Sequence, residues 1–127
     1  MIERYLYRGK RIIDGEWING HYCLDDFDKP SIIALRYNGY KMYDEVVPAT
    51  LGQCTGLRDK NGTLIFEGDM LRVTNWRRIG AVTFCRAMFK FDNVSLCTFF
   101  GDKDYSVEVV GNIHDNADLL EAGKASG

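Results

Sequence analysis

The sequence predicts an all-β protein, a small barrel or sandwich closed by one short C-terminal helix. Three observations carry this: short runs of alternating apolar and polar residues, turn signals every few residues, and scarcely any helical periodicity before residue 116. Alternation with a period of two puts one side of each run against a core. A chain of 127 residues with 46% hydrophobic content is long enough to bury such a core as one domain.

Residues 5–8 and 10–13 are short strand candidates, and Asp14-Gly15 is a tight-turn signal. Residues 16–19 lead through Gly20 into 21–24, and the acidic stretch from Asp25 to Pro30 reads as a loop. Residues 32–37 are β-like and reach Asn38-Gly39, a strong hairpin signal, before 40–43. Pro48 and Gly52 interrupt the pattern, so a sub-boundary would fall near 48–52.

Residues 51–73, LGQCTGLRDKNGTLIFEGDMLRV, are the most informative stretch. Asp59-Lys60-Asn61-Gly62 is a turn between 55–58 and 63–66, and Gly62 is needed where the turn demands positive φ. Glu67-Gly68-Asp69 makes a second bend before 70–74. In this reading Gly56, Asp59, Asn61, Gly62, Glu67, Gly68 and Asp69 form a structural turn motif; an Asp after Gly most often binds local backbone N–H groups. Residues 79–85, 89–91, 94–100 and 106–110 complete the strands. Asn116 is an N-cap candidate, Asp118 suits a first helical turn, and Leu119-Leu120 supply an apolar side. Residues 1–122 thus read as one β-rich domain, with 123–127 a tail that has nothing to bury.

The order of these motifs resembles the YopX-like family. The resemblance rests on Gly52-Gln53, Thr55-Gly56-Leu57, Asp59 to Gly62, and Ile65-Phe66-Glu67-Gly68-Asp69. It extends to Val109 through Asn116 with Leu119-Leu120, and upstream to Tyr7 through Lys10, Gly15-Glu16-Trp17 and Gly20. Cys54 and Ala117 depart from the pattern, and Ala117 replaces a Pro that would be preorganised at a helix start. The resemblance implies an SH3-like β-roll or barrel with additional N-terminal strands, and a phage or prophage origin. It carries over no catalytic residues.

Composition narrows the function. Sixteen basic against eighteen acidic residues, a net charge of −2, argues against a protein held on nucleic acid by charge alone. No apolar run approaches the roughly 20 residues of a membrane helix, and the charged start lacks a signal-peptide core. The expected location is the cytoplasm of a bacterial host, with no membrane partner. Cys23, Cys54, Cys85 and Cys97 form no closely spaced pair, and His21 and His114 are far apart, so no metal and no cofactor is expected.

Asp25, Asp26 and Asp28, with Glu16 upstream, lack the Gly-punctuated spacing of a calcium loop and read as solvated; Asp102 and Asp104 read as a turn. No serine sits in an elbow-type context and no phosphate-cradling glycine loop is present, so the chain is expected not to be an enzyme. The candidate contact residues are Trp76, Arg77 and Arg78 at a hairpin tip, with Lys10 and Arg11, and Tyr5 and Tyr7 as extensions. An aromatic ring beside guanidinium groups can stack on bases and meet phosphates. Trp, Tyr and Arg also anchor protein interfaces, and aromatics make up 13% of the chain. The leading expectation is a non-enzymatic accessory protein acting through protein contacts or self-association as a homo-oligomer; nucleic-acid binding is the alternative.

Overall fold

The computed structural model of the chain describes residues 3–35, 39–76, 78–101 and 105–118. Among these, all extended structure is antiparallel. The strands are β1 (Tyr7–Lys10), β2 (Trp17–Leu24), β3 (Pro30–Leu35), β4 (Lys41–Glu45), β5 (Gly52–Arg58), β6 (Leu64–Phe66), β7 (Asp69–Val73), β8 (Gly80–Cys85), β9 (Met88–Phe91), β10 (Val94–Ser95) and β11 (Val107–Asn112). Their hydrogen-bonded orders are β4-β3-β2-β1-β5-β6 and β10-β9-β8-β7-β11. Neither order returns to its first strand, so the observed all-β architecture is two open sheets rather than a closed barrel.

The chain divides into two compact units, Met1–Gly56 and Leu57–Gly127, a division just beyond the break expected near 48–52. In the first unit the alternation of β2 turns Ile18 inward, and it meets Ile32 of β3 and Val46 after β4, with Tyr7, Ala34 and Leu51 around them. β2 runs unbroken through Gly20, in line with the expectation that residues 16–19 lead through it into 21–24. A Cβ at Gly20 would strike the carbonyl oxygen of Ile33 and the Cγ2 of Ile32, so only glycine permits this approach of β2 and β3. The segments after β1 and β4 also meet. Arg11 and Val46 form a bridge, Ile12 N–H donates to the Glu45 carbonyl at 3.0 Å, and Val47 N–H donates to the Lys10 carbonyl at 2.9 Å.

The second unit has the larger core. Ile65, Leu71, Val73, Val82, Phe91, Leu96, Phe99 and Val107 are all buried together. On β7 the two-residue period is direct: Leu71 and Val73 face this core while Arg72 between them is exposed. Each large apolar side chain buried in this way contributes about 1.5–3 kcal/mol. The run expected as one strand over 94–100 is instead β10 followed by a 3-10 turn at Leu96–Phe99, which directs both ends of the turn into the core.

Of the expected C-terminal helix the described residues include only Ala117 and Asp118, which are helical. The Asn116 Oδ1 accepts the Asn112 N–H at 3.2 Å, and its own N–H donates to the Asn112 carbonyl at 2.9 Å. The Asn112 side chain also accepts the N–H groups of His114 and Asp115, so this asparagine-rich segment satisfies its backbone by a turn. Leu119 and Leu120, the expected apolar side, lie outside the described residues.

Candidate interaction site

The turn motif of residues 56–69 is occupied by its own backbone. Asp59, 7% exposed, accepts the N–H groups of Asn61 and Thr63 through Oδ1, each at 2.9 Å. Its Oδ2 accepts Val109 N–H from β11 at 2.9 Å. Burial pushes the Asp59 pKa up, but the bonds from Val109, Thr63 and Asn61 and the charge of Lys60 outweigh it, so the carboxyl sits below its usual range. Asp69 is 2% exposed and accepts Phe66 N–H at 2.7 Å across the Glu67-Gly68 bend. Gly62 and Gly68 have φ of +83° and +92°, the left-handed region these turns require. Gly56 also has positive φ and packs against Arg4, while Asn61 N–H closes the Asp59 turn. Asp59, Asn61 and Asp69 thus hold their turns in place.

Trp76, the centre of the sequence-predicted contact, is a core residue more than a tip residue. Its ring lies edge-on to Phe99 at 5.1 Å and within 6.5 Å of Tyr105 and 6.4 Å of Phe91. Its indole N–H donates to the Asp92 carboxylate at 2.7 Å. Both the face and the polar edge of the ring are therefore engaged inside the second unit. Arg78 is exposed and shares a cleft of about 240 Å³ with Asn75, Trp76 and Asp92. Arg77 lies outside the described residues.

Lys10 and Arg11 belong to the first unit. Arg11 is held by Asp44 at 3.4 Å and Asp14 at 3.5 Å. Lys10 and Arg8 stand over the Trp17 ring at 5.4 Å and 4.7 Å, a cation–π arrangement absent from the sequence reading. The signal for it was the register Lys10 opposite Trp17 in a β1–β2 hairpin. Tyr7 packs against Tyr22 with ring centroids 5.7 Å apart, and exposed Tyr5 lies beneath the Arg4 guanidinium.

The acidic loop is a local turn. Asp25 Oδ1 accepts the N–H groups of Phe27 and Lys29 at 2.8 and 2.9 Å. Among the described residues no three His, Cys, Asp or Glu side chains converge in a way that could hold a metal ion. Asp102 and Asp104 lie outside the described residues. All four cysteines are free thiols, Cys54 buried, Cys23 half-buried, Cys85 and Cys97 exposed. Burial, and then the charge of Asp25, raise the Cys23 pKa. No described helix is long and apolar enough to cross a membrane.

A cleft of about 450 Å³ in the first unit has a mainly apolar lining and is formed by Leu6, Asn19, Gly20, His21, Ile33, Ala34 and Lys41. The more prominent surface feature of this unit is β4, the terminal strand of its sheet. Met42 and Tyr43 on β4 are 47% and 61% exposed, and Tyr40 just before it 70%. Ile12 and Ile13, joined to the end of β4 through the Ile12–Glu45 hydrogen bond, are 53% and 80% exposed. Sequence reasoning missed this cluster. The available signal was Lys41-Met42-Tyr43, which is apolar on one face and aromatic on the other, as suits an edge.

A family model described as YopX protein matches residues 6–121. Among solved structures, the chain resembles the crystal structure of protein EF1440 from Enterococcus faecalis. That likeness has a TM-score of 0.55 and 23% identity, and covers 90% of this chain and 96% of that one, which speaks to the fold alone. No curated protein matches the chain.

Proposed function

This chain belongs to the YopX family, and from that premise we propose that it acts by binding protein, further copies of itself included, and not by catalysis. The observation that carries this reading is the exposed apolar cluster Ile12, Ile13, Tyr40, Met42 and Tyr43 around one sheet edge. Aromatic residues and methionine are enriched in protein interfaces, and an apolar edge strand left in water invites pairing. Asp25, Asp59 and Asp69 support the same view, since backbone N–H groups engage their carboxylates. We place the protein as a phage or prophage accessory factor in the bacterial cytoplasm. An SH3-like roll is our finer description of the second unit. Its order β10-β9-β8-β7-β11, with a 3-10 turn before β11, brings the last strand beside the first as that roll does.

Light scattering across a concentration series tests the self-association. A mass above that of one chain, rising with concentration, is the expected result; one chain's mass throughout would overturn it. The nucleic-acid alternative rests on Arg78 and its neighbours and loses the stacking ring, because Trp76 is packed on Phe99 and bonded to Asp92. Salt-sensitive binding of a single-stranded oligonucleotide that Arg78→Ala weakens would restore it.

A further inference from the structure

We infer that β4 is a homodimer edge, pairing antiparallel with β4 of a second copy across a twofold axis at Met42. This rests on the self-association proposed above and names the surface and register. The direction of the β4 main chain follows from one bond. Val46 N–H donates to the Pro30 carbonyl, so Pro30 and Val46 are a hydrogen-bonded pair in the β3–β4 register. Antiparallel pairs alternate, so Asp44 with Ile32 and Met42 with Ala34 are bonded pairs too. Lys41, Tyr43 and Glu45 therefore turn their N–H and C=O groups away from β3. The Ile12 N–H received by Glu45 on that outer side agrees with this direction.

The same bond selects the register. A twofold at Tyr43 would pair Lys41 of one copy with Glu45 of the other and need the Glu45 carbonyl that Ile12 already occupies. A twofold at Met42 pairs Lys41 with Tyr43 twice, and so uses the outward groups of those two residues in four new hydrogen bonds. It also matches side chains. Each Lys41 ammonium faces the other copy's Tyr43 ring, a cation–π complementarity, while the two Met42 side chains meet on the opposite face. Ile12, Ile13 and Tyr40 flank the ladder and supply apolar area that so short a strand pairing lacks by itself.

The test is a cross-link in a chain with Cys85→Ser and Cys97→Ser. At a non-hydrogen-bonded antiparallel pair the Cα atoms are about 4.5 Å apart, inside the range for a disulfide. Met42→Cys should oxidise to a covalent dimer, whereas Leu24→Cys, exposed on β2, should not. Tyr43→Pro removes an outward N–H and leaves the β3 ladder intact, and should shift scattering to monomer while circular dichroism stays native. Lys41→Glu should weaken the dimer at least tenfold without touching the β3 ladder. A native oligomer that persists in Tyr43→Pro and Lys41→Glu, with no Met42→Cys cross-link, overturns this edge and leaves self-association standing elsewhere. A monomeric parent chain that does not cross-link overturns both.

Discussion

The Asp59 carboxylate and the Val109 N–H, fifty residues apart in sequence, are hydrogen-bonded at 2.9 Å. One oxygen of Asp59 thus shapes its own turn while the other ties that turn to β11. Lys60 repeats the tie twice, through its N–H to the Val107 carbonyl and its ammonium to Glu108 at 3.2 Å. The exposed ion pair adds little on this footing; the buried carboxylate with three N–H donors carries the link.

Asp59→Ala leaves those three N–H groups without their acceptor, and a hydrogen bond to a charged group contributes about 1.5–3 kcal/mol. We expect a loss of about 3 kcal/mol in urea unfolding, with Asp59→Asn losing less because it keeps one acceptor oxygen. The folded pKa of Asp59 is lowered. Its stabilising contribution is therefore full above the unfolded value, about 4, and is lost as pH falls through the folded value. Wild type should lose more stability than Asp59→Asn between pH 5 and the acid end of the titration; parallel curves would refute this role.

Trp76 gives a second expectation. Its ring packs on Phe91, Phe99 and Tyr105, so truncation opens a cavity in the larger core. Trp76→Ala should cost about 3–5 kcal/mol, and Asp92→Ala about 1 kcal/mol through the orphaned indole N–H. Thermal melts of both variants decide it. An unchanged melting temperature for Trp76→Ala would return the residue to the surface role that its neighbours Arg77 and Arg78 suggest in sequence.

The β class and the turn chemistry were legible because they are local. Gly62 and Gly68 announce positive φ, and Asp59 and Asp69 announce side-chain bonds to nearby N–H groups. What was not legible depends on partners distant in sequence. Trp76 beside two arginines reads as a tip until Phe99 and Tyr105 arrive from beyond residue 95. The bond from the Asn112 N–H to the Asn116 side chain is not contained in a reading of Asn116 as a helix cap. The β4 edge needed the strand order, because Lys41-Met42-Tyr43 looks the same in a central strand as in a terminal one.

The β8–β9 hairpin turns through Arg86 and Ala87, with φ of +52° and +64°. Two consecutive positive values in a two-residue loop favour Asn-Gly, yet this turn has neither residue. The second two-residue turn, between β9 and β10, places Asp92 and Asn93 at +49° and +65° and so uses side chains that tolerate the region. Ala87→Gly should therefore stabilise the protein by about 0.5–1 kcal/mol, since relief of the steric cost exceeds the entropy added to the unfolded chain. A destabilised variant in urea titration would show that the turn is not strained.

The thiols provide a map of burial that needs no mutation. Cys85 and Cys97 are exposed, Cys23 is half-buried with its pKa raised by burial and Asp25, and Cys54 is fully buried with its sulfur near the Gly56 N–H at 3.4 Å. Thiolate is the reactive form, so both access and pKa set the rate. A disulfide reagent at neutral pH should titrate two thiols quickly and Cys23 more slowly. Cys54 should react only on unfolding, with a rate that follows urea concentration. Prompt reaction of Cys54 in the native protein would mean that the β1–β5 contact, where its N–H meets the Leu6 carbonyl at 2.8 Å, opens far more readily than a buried ladder should.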